Sequence, residues 1–167
     1  GFTQRGMIHS PGPENFPYDT GGVLRATKGK EPEMVYEYSM EKYNTYDSEV
    51  ADRVIDFIAR RARTDGPFFV NFWGKGNHFW GAHPDFRDAP AGTNASAQMV
   101  EHDYNVGRIL KTLKDLGIAE NTLVIWSADN GPMYTVHPHG GYSLLPGAKG
   151  ETREGGIRVP SLAWWPG

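Results

Sequence analysis

The sequence predicts an α/β fold, a mainly parallel sheet flanked by helices, and three observations predict it. Short apolar runs stand at residues 67–73 and 122–127. A helical periodicity occupies residues 95–116 between them, and a third apolar run, Val159 to Trp165, follows. The order strand, helix, strand is a crossover unit, and such a unit lays its two strands parallel in one sheet.

Taken in order, residues 1–45 are rich in Gly, Pro and Tyr with little periodicity, as in Ser10-Pro-Gly-Pro-Glu14 and Thr20-Gly-Gly22, and read as loops and short pieces. From Asp47-Ser48 the pattern changes: Val50, Val54, Ile58 and Ala62 recur at helical spacing, closed by Gly66-Pro67. Pro67-Phe-Phe-Val-Asn-Phe-Trp73 is aromatic and β-branched and stops at Gly74, as a buried strand does. A second helix starts near Asn94 or Ser96 and runs to Leu116. Met99, Val106, Leu110 and Leu113 share one of its faces, and Gly117 stops it. Asn94-Ala-Ser96 matches a glycosylation sequon, but a helix cap accounts for it better. Thr122 to Ser127 is the second strand. Val159 to Trp165 is the third, with Pro160 near its start, where a missing amide donor is tolerated.

The chain has 167 residues, 38% hydrophobic and 22% charged, which is enough for one domain with a core. A net charge of -3 with dispersed basic residues gives no footprint for nucleic acid or an anionic membrane. No apolar run approaches the roughly 20 residues that span a bilayer. With no cysteine there is no disulfide, thiolate metal site or thiol nucleophile. The chain begins at Gly1 without Met and stops just after an apolar run, so it reads as a piece of a longer polypeptide.

Two parallel strands put their C-terminal ends on one edge, where ligands bind in open α/β sheets. That edge receives Gly74-Lys-Gly-Asn-His78 and Ala128-Asp-Asn130. Asp129 and Asn130 offer hard oxygen atoms suited to Ca²⁺ or Mg²⁺. Asp-Asn-Gly is equally good turn chemistry, with Gly131 letting the backbone turn away. Lys149 sits in the glycine-rich stretch Gly147 to Pro160, where a backbone can approach an anion closely, though a solvated lysine reads the same way. Glu154 and Arg158 have the spacing of a helical ion pair. His78 can protonate an oxygen or ligate a metal; His83, His102, His137 and His139 offer further imidazoles without an assigned role.

Four stretches together carry a resemblance to a known family: Gly66 to Trp73 followed by His78; Val100-Glu-His-Asp-Tyr-Asn-Val-Gly-Arg-Ile-Leu110; Asn121 to Pro132; and Lys149 to Pro160. In this order they resemble the formylglycine-dependent sulfatases of the arylsulfatase type, within the alkaline phosphatase superfamily. The likeness spans residues 47–167, with echoes at Arg5-Gly6 and Asp19-Thr-Gly21. It implies a three-layer sandwich of which residues 1–167 are one partial domain, with 1–45 loop-rich and 47–167 a portion of the α/β core. It implies hydrolysis of a sulfate monoester, with Asp129 and Asn130 as two ligands of a divalent cation, Ca²⁺ before Mg²⁺. Lys149 and His78 would be the catalytic and substrate-binding groups, Lys149 offsetting the sulfate charge and His78 assisting the leaving alkoxide.

The family's nucleophile is a Cys or Ser in a Cys/Ser-x-Pro-x-Arg motif that matures to formylglycine. Ser10-Pro-Gly-Pro-Glu14 does not fit it, and the family's paired N-terminal Asp ligands are missing too. Both are expected upstream of Gly1, so the remainder of the same catalytic domain is the implied partner and residues 1–167 alone are expected to be inactive. The substrate class is a small or glycan sulfate ester, and the location is extracytoplasmic by resemblance. A phosphodiesterase or phosphonate hydrolase of the same superfamily, and a non-catalytic fragment, are the alternatives.

Overall fold

The computed structural model describes residues 2–5, 22–37, 39–64, 66–75, 81–136 and 139–167. Three short strands, β1 (Phe2–Arg5), β2 (Gly22–Arg25) and β3 (Glu33–Glu37), form an antiparallel sheet in that order. Phe2 lies opposite Arg25, and Arg25 opposite Glu33. The sequence reading expects loops and short pieces here, and the short pieces are these strands. These strands are four or five residues long, too short for an alternating pattern to register, and Val23 of β2 is buried. Tyr36 Oη ties the sheet to the first helix by donating to Glu49 Oε2 at 2.9 Å.

Helix α1 (Met40–Arg61) begins two turns before the point the apolar spacing suggests. Ser39 caps it by accepting from the Lys42 amide at 3.1 Å. Tyr43, Tyr46 and Asp47, all buried, extend the stripe of Ala51, Val54 and Ile58 toward the N-terminus. Helix α2 (Asn94–Asp115) matches its expected span. Its cap is Thr93, which forms a capping box with Ser96, so Ser96 serves at the third helical position. Gly117, at φ 68°, ends it. Its amide donates to Lys114 O and the Ile118 amide to Leu113 O, the paired bonds of a Schellman turn.

The apolar core joins Val54 and Ile58 of α1 to Leu113 of α2 and to Ala119. Phe68, Val70, Phe72, Val124 and Trp164 pack against it. Beside this core runs a polar seam between the helices. Ser48 Oγ donates to Glu101 Oε1 at 2.8 Å, and Asn105 Nδ2 to Ser48 Oγ at 3.4 Å. Arg108 pairs with Asp52 across the same interface. The Lys75 amide donates to Asp47 Oδ1 at 2.8 Å. Its buried ammonium lies 3.7 Å from Asp47 Oδ2 and 4.0 Å from Glu101 Oε2.

Residues 67–73 run extended with alternating burial: Phe68, Val70 and Phe72 turn to the helices, and Phe69, Asn71 and Trp73 turn away. They join no ladder among the described residues. Strand β4 (Val124–Ser127) pairs antiparallel with β5 (Ser161–Trp164), Val124 opposite Trp164. The sequence reading expects 67–73 and 122–127 to be parallel strands of one sheet. Among the described residues both sheets are antiparallel, and 67–73 remains apart from β4 because no backbone partner lies along its edge.

Candidate active site at the end of β4

Beyond Ser127 the chain leaves β4 and delivers Asp129, exposed, and Asn130, half-buried. Asn130 Nδ2 donates to Gly131 O at 2.8 Å, which leaves Oδ1 as the atom on offer to a cation. Among the described residues no basic side chain pairs with the Asp129 carboxylate. Backbone contacts then hold this loop against a second one. Gly131 N donates to Gly156 O at 2.9 Å, and Lys149 N to Pro132 O at 2.9 Å. The bond at Lys149 brings its glycine turn alongside the acid and the amide.

The close fit depends on glycine. A Cβ on Gly131 would stand 1.8 Å from Gly155 O, and one on Gly155 would meet Gly147 O and Leu145 O at 2.4 Å. A Cβ on Gly156 would meet Glu151 O at 2.2 Å. No backbone atom can retreat that far without breaking the bonds just described. Gly131 therefore serves close approach, and it is not among the residues at positive φ. The chain does bend over residues 129–131, as expected, and close approach is the further reason for glycine there. Gly147 and Gly150, at φ 113° and 89°, supply the left-handed corners on either side of Ala148-Lys149. Gly155 and Gly156 sit in the single turn α3 (Glu154–Ile157), where Arg158 Nη1 pairs with Glu154 Oε2 at 3.3 Å, as their spacing predicts.

Asp129, Asn130 and Lys149 line one cavity of about 2300 Å³. Lys149 is exposed and pairs with no acid among the described residues. A carboxylate, an amide oxygen and an ammonium are thus among the many groups that line this open groove. His78, the fourth predicted site residue, lies outside the described residues, as does His137. His83 is a local cap: its Nδ1 accepts from the Asp85 amide at 3.2 Å. His139 is exposed. Among the described residues no three His, Asp or Glu side chains gather as a metal cluster.

His102, left without a role by the sequence, has a structural one. Its Nε2 accepts from Trp126 Nε1 at 2.8 Å, and its ring stacks on Phe72 with centroids 6.1 Å apart. Sequence reasoning misses the clamp made by Gly155 and Gly156, for which the only signal is the Gly-Gly pair after Glu154. No described helix is long and apolar enough to cross a membrane.

An acid and an amide thus follow β4 beside a lysine held on a glycine turn. The chain belongs to the sulfatase family, whose model, described as Sulfatase, matches residues 5–167. It is similar to human arylsulfatase A, 39% identical over 118 residues, covering 67% of this chain and 22% of that protein. It is 38% identical over 117 residues to human N-acetylgalactosamine-6-sulfatase, covering 68% of this chain and 22% of that protein. Among solved structures, PsFucS1 sulfatase from Pseudoalteromonas sp. superposes with a TM-score of 0.76 at 32% identity, over 87% of this chain and 30% of that one. The fold is thus α/β by likeness, and the chain spans about a fifth of the length of the curated relatives it matches.

Proposed function

We propose that residues 1–167 form part of the catalytic domain of a sulfuric ester hydrolase that cleaves a sulfate monoester. The observation that carries this reading is the backbone bond from Lys149 N to Pro132 O, which holds the lysine's turn beside the Asp129-Asn130 loop in a chain of the sulfatase family. Lys149 sets a fixed positive charge where a sulfate would bind. A donor of this kind accelerates the reaction only if it holds the charge growing on the leaving oxygen better than the ground state. His78, three residues beyond Lys75 in sequence, is assigned the proton for the leaving alkoxide.

The donor set fits a hard cation. Asp129 supplies the charge and Asn130 Oδ1 a neutral oxygen, and the Asn130 amide nitrogen is already committed to Gly131 O. When bound, such an ion lowers the cost of negative charge on a sulfate oxygen. We assign it as Ca²⁺. Hard cations of that size take about six to eight oxygens, so Asp129 and Asn130 are two among several, the others contributed by the rest of the domain. Formylglycine is placed on that same remainder, as is completion of a mainly parallel, three-layer sheet. The substrate is a small or glycan sulfate ester, and N-acetylgalactosamine-6-sulfatase among the relatives supports testing a sulfated amino sugar. An extracytoplasmic location belongs to the same reading.

The test is to assay an aryl sulfate and a 6-sulfated N-acetylgalactosamine with the complete gene product, co-expressed with a formylglycine-generating enzyme. We expect turnover that chelation abolishes and Ca²⁺ restores, and none from residues 1–167 alone. Turnover by the 167-residue chain would refute the assignment of the nucleophile. Absence of turnover on any sulfate ester, with cleavage of a phosphate diester instead, would refute the reaction class.

A further inference from the structure

We infer that Asn94 is the acceptor of an N-linked oligosaccharide, a modification that goes beyond the hydrolase reading and shares with it only the extracytoplasmic location. Of the asparagines in the chain, Asn94 alone has Ser or Thr two positions on, in Asn94-Ala95-Ser96, and the middle residue is not the proline that bars transfer. A helix cap is the competing account of these three residues, and the structure separates the two.

The cap is formed without Asn94. Thr93 holds the capping position, extended at φ -118° and ψ 152°, and its Oγ1 accepts from the Ser96 amide at 3.1 Å. Ser96 Oγ accepts in return from the Thr93 amide at 3.3 Å and donates to Thr93 O at 2.9 Å. Residues 93 and 96 therefore close the box by themselves. Asn94 is the first residue of α2, it is exposed, and its side-chain amide has no hydrogen-bond partner among the described residues. Asparagine is a poor helix former outside the capping position, so capping leaves its presence there unexplained.

The surroundings admit a bulky group. Pro90, Ala91 and Gly92 are all exposed, and a Cβ on Gly92 would meet nothing within 4 Å. Ala91 and Gly92 stand at φ 74° and 59°, and the Gly92 amide donates to Ala89 O at 3.1 Å. Two successive left-handed residues make a tight corner just before the cap, at the surface, where an oligosaccharide displaces no packed side chain. Asn105 of the same helix is the contrast: it is fully buried, and its Nδ2 donates to Ser48 Oγ.

In the transfer, Asn94 Nδ2 bonds to the anomeric carbon of an oligosaccharide carried on a polyprenyl pyrophosphate. The carbon–oxygen bond to the carrier breaks, the pyrophosphate leaves with the electron pair, and the amide gives up one proton. The linkage stays neutral, so α2 gains bulk at its start without gaining charge. Ser96 serves twice. Its hydroxyl is free for the transferase while the chain is unfolded, and it closes the capping box once α2 forms, which places the transfer before the folding of this helix.

The test is mass spectrometry of the complete gene product, isolated from the cell that makes it and digested with trypsin. Cleavage after Arg87 and Arg108 releases residues 88–108, a peptide that holds both Asn94 and Asn105. We expect this peptide to carry an oligosaccharide, with fragment ions placing it on Asn94 and leaving Asn105 bare. Asn94→Gln should abolish the glycopeptide, and Ser96→Thr, which keeps the hydroxyl, should retain it. A bare peptide from the unsubstituted protein, an oligosaccharide that survives Asn94→Gln, or one lost in Ser96→Thr would each overturn the inference. The readout is a mass and not a turnover, so the hydrolase reading stands or falls separately.

Discussion

Trp126 Nε1 donates to His102 Nε2 at 2.8 Å, so the one polar atom of the β4 tryptophan is satisfied by the helix beneath it. With Nε2 accepting, the proton of the neutral ring is on Nδ1, which is buried without a partner among the described residues. The bond fixes the height of β4 over α2 and hence the point at which the chain leaves the strand for Asp129. Replacing Trp126 by Phe should cost about 1 kcal/mol of stability, the usual worth of such a bond, and leave the ring packing in place. Chemical denaturation of the two proteins checks it. An unchanged midpoint would mean the bond does not persist in solution.

A second expectation concerns the interlocked loops. Gly131→Ala and Gly155→Ala should each destabilise the protein by about 2–3 kcal/mol or more, because the added methyl meets a carbonyl with no room to move. Gly117→Ala, where a Cβ would meet nothing within 4 Å, should cost less, since only its positive φ is at stake. Thermal unfolding of the three variants gives the ranking.

Lys75 offers a third. Its ammonium is buried with the carboxylates of Asp47 and Glu101, and it lies 5.3 Å from the centre of the Tyr43 ring. Removing the cation leaves two buried acids facing each other. Lys75→Met should therefore cost about 3–5 kcal/mol, and adding Glu101→Gln should recover part of the loss. Denaturation of the single and double variants decides it, since a loss that Glu101→Gln does not lessen would point to packing instead of charge.

Tyr36 predicts a response to alkali. Burial first, then its hydrogen bond to Glu49, raises its phenol above the usual value of 10.0. A group raised in the folded state adds stability that is complete below its unfolded value and fades as pH climbs past it. The sheet should thus loosen from α1 above about pH 10. In Tyr36→Phe the stability curve should be flatter there, measured as the midpoint of unfolding between pH 9 and 11.

For the complete enzyme, Asp129→Ala and Lys149→Ala should each lower kcat/KM by at least about a hundredfold on a sulfate ester. On the proposal that Asp129 is a cation ligand, chelator should weaken the Asp129→Ala protein little further. Full activity of Lys149→Ala would remove that residue from the site.

The parts of this molecule written in local pattern were legible. Met99 through Leu113 at helical spacing, with Gly117 behind, gave α2 its span, and Glu154 with Arg158 gave the small turn. The start of α1 was hidden because Tyr43, Tyr46 and Asp47 are not the residue types that announce a buried helical face. Residues 67–73 have the alternation of a strand, but a ladder is made between edges, and no local pattern states which edges meet. The role of Gly131 was illegible for the same reason: the atom that forbids a side chain there belongs to Gly155, distant in sequence.

The bonds Gly131 to Gly156 and Lys149 to Pro132 also close a ring of chain. The excursion over residues 133–147 departs from Pro132 and returns beside it, so its two feet are fastened independently of what lies between them. A fastened loop can lengthen cheaply, each doubling costing only about 0.6 kcal/mol in closure entropy. Residues 133–144 can therefore drift in length and composition while Asp129, Asn130 and Lys149 keep their places.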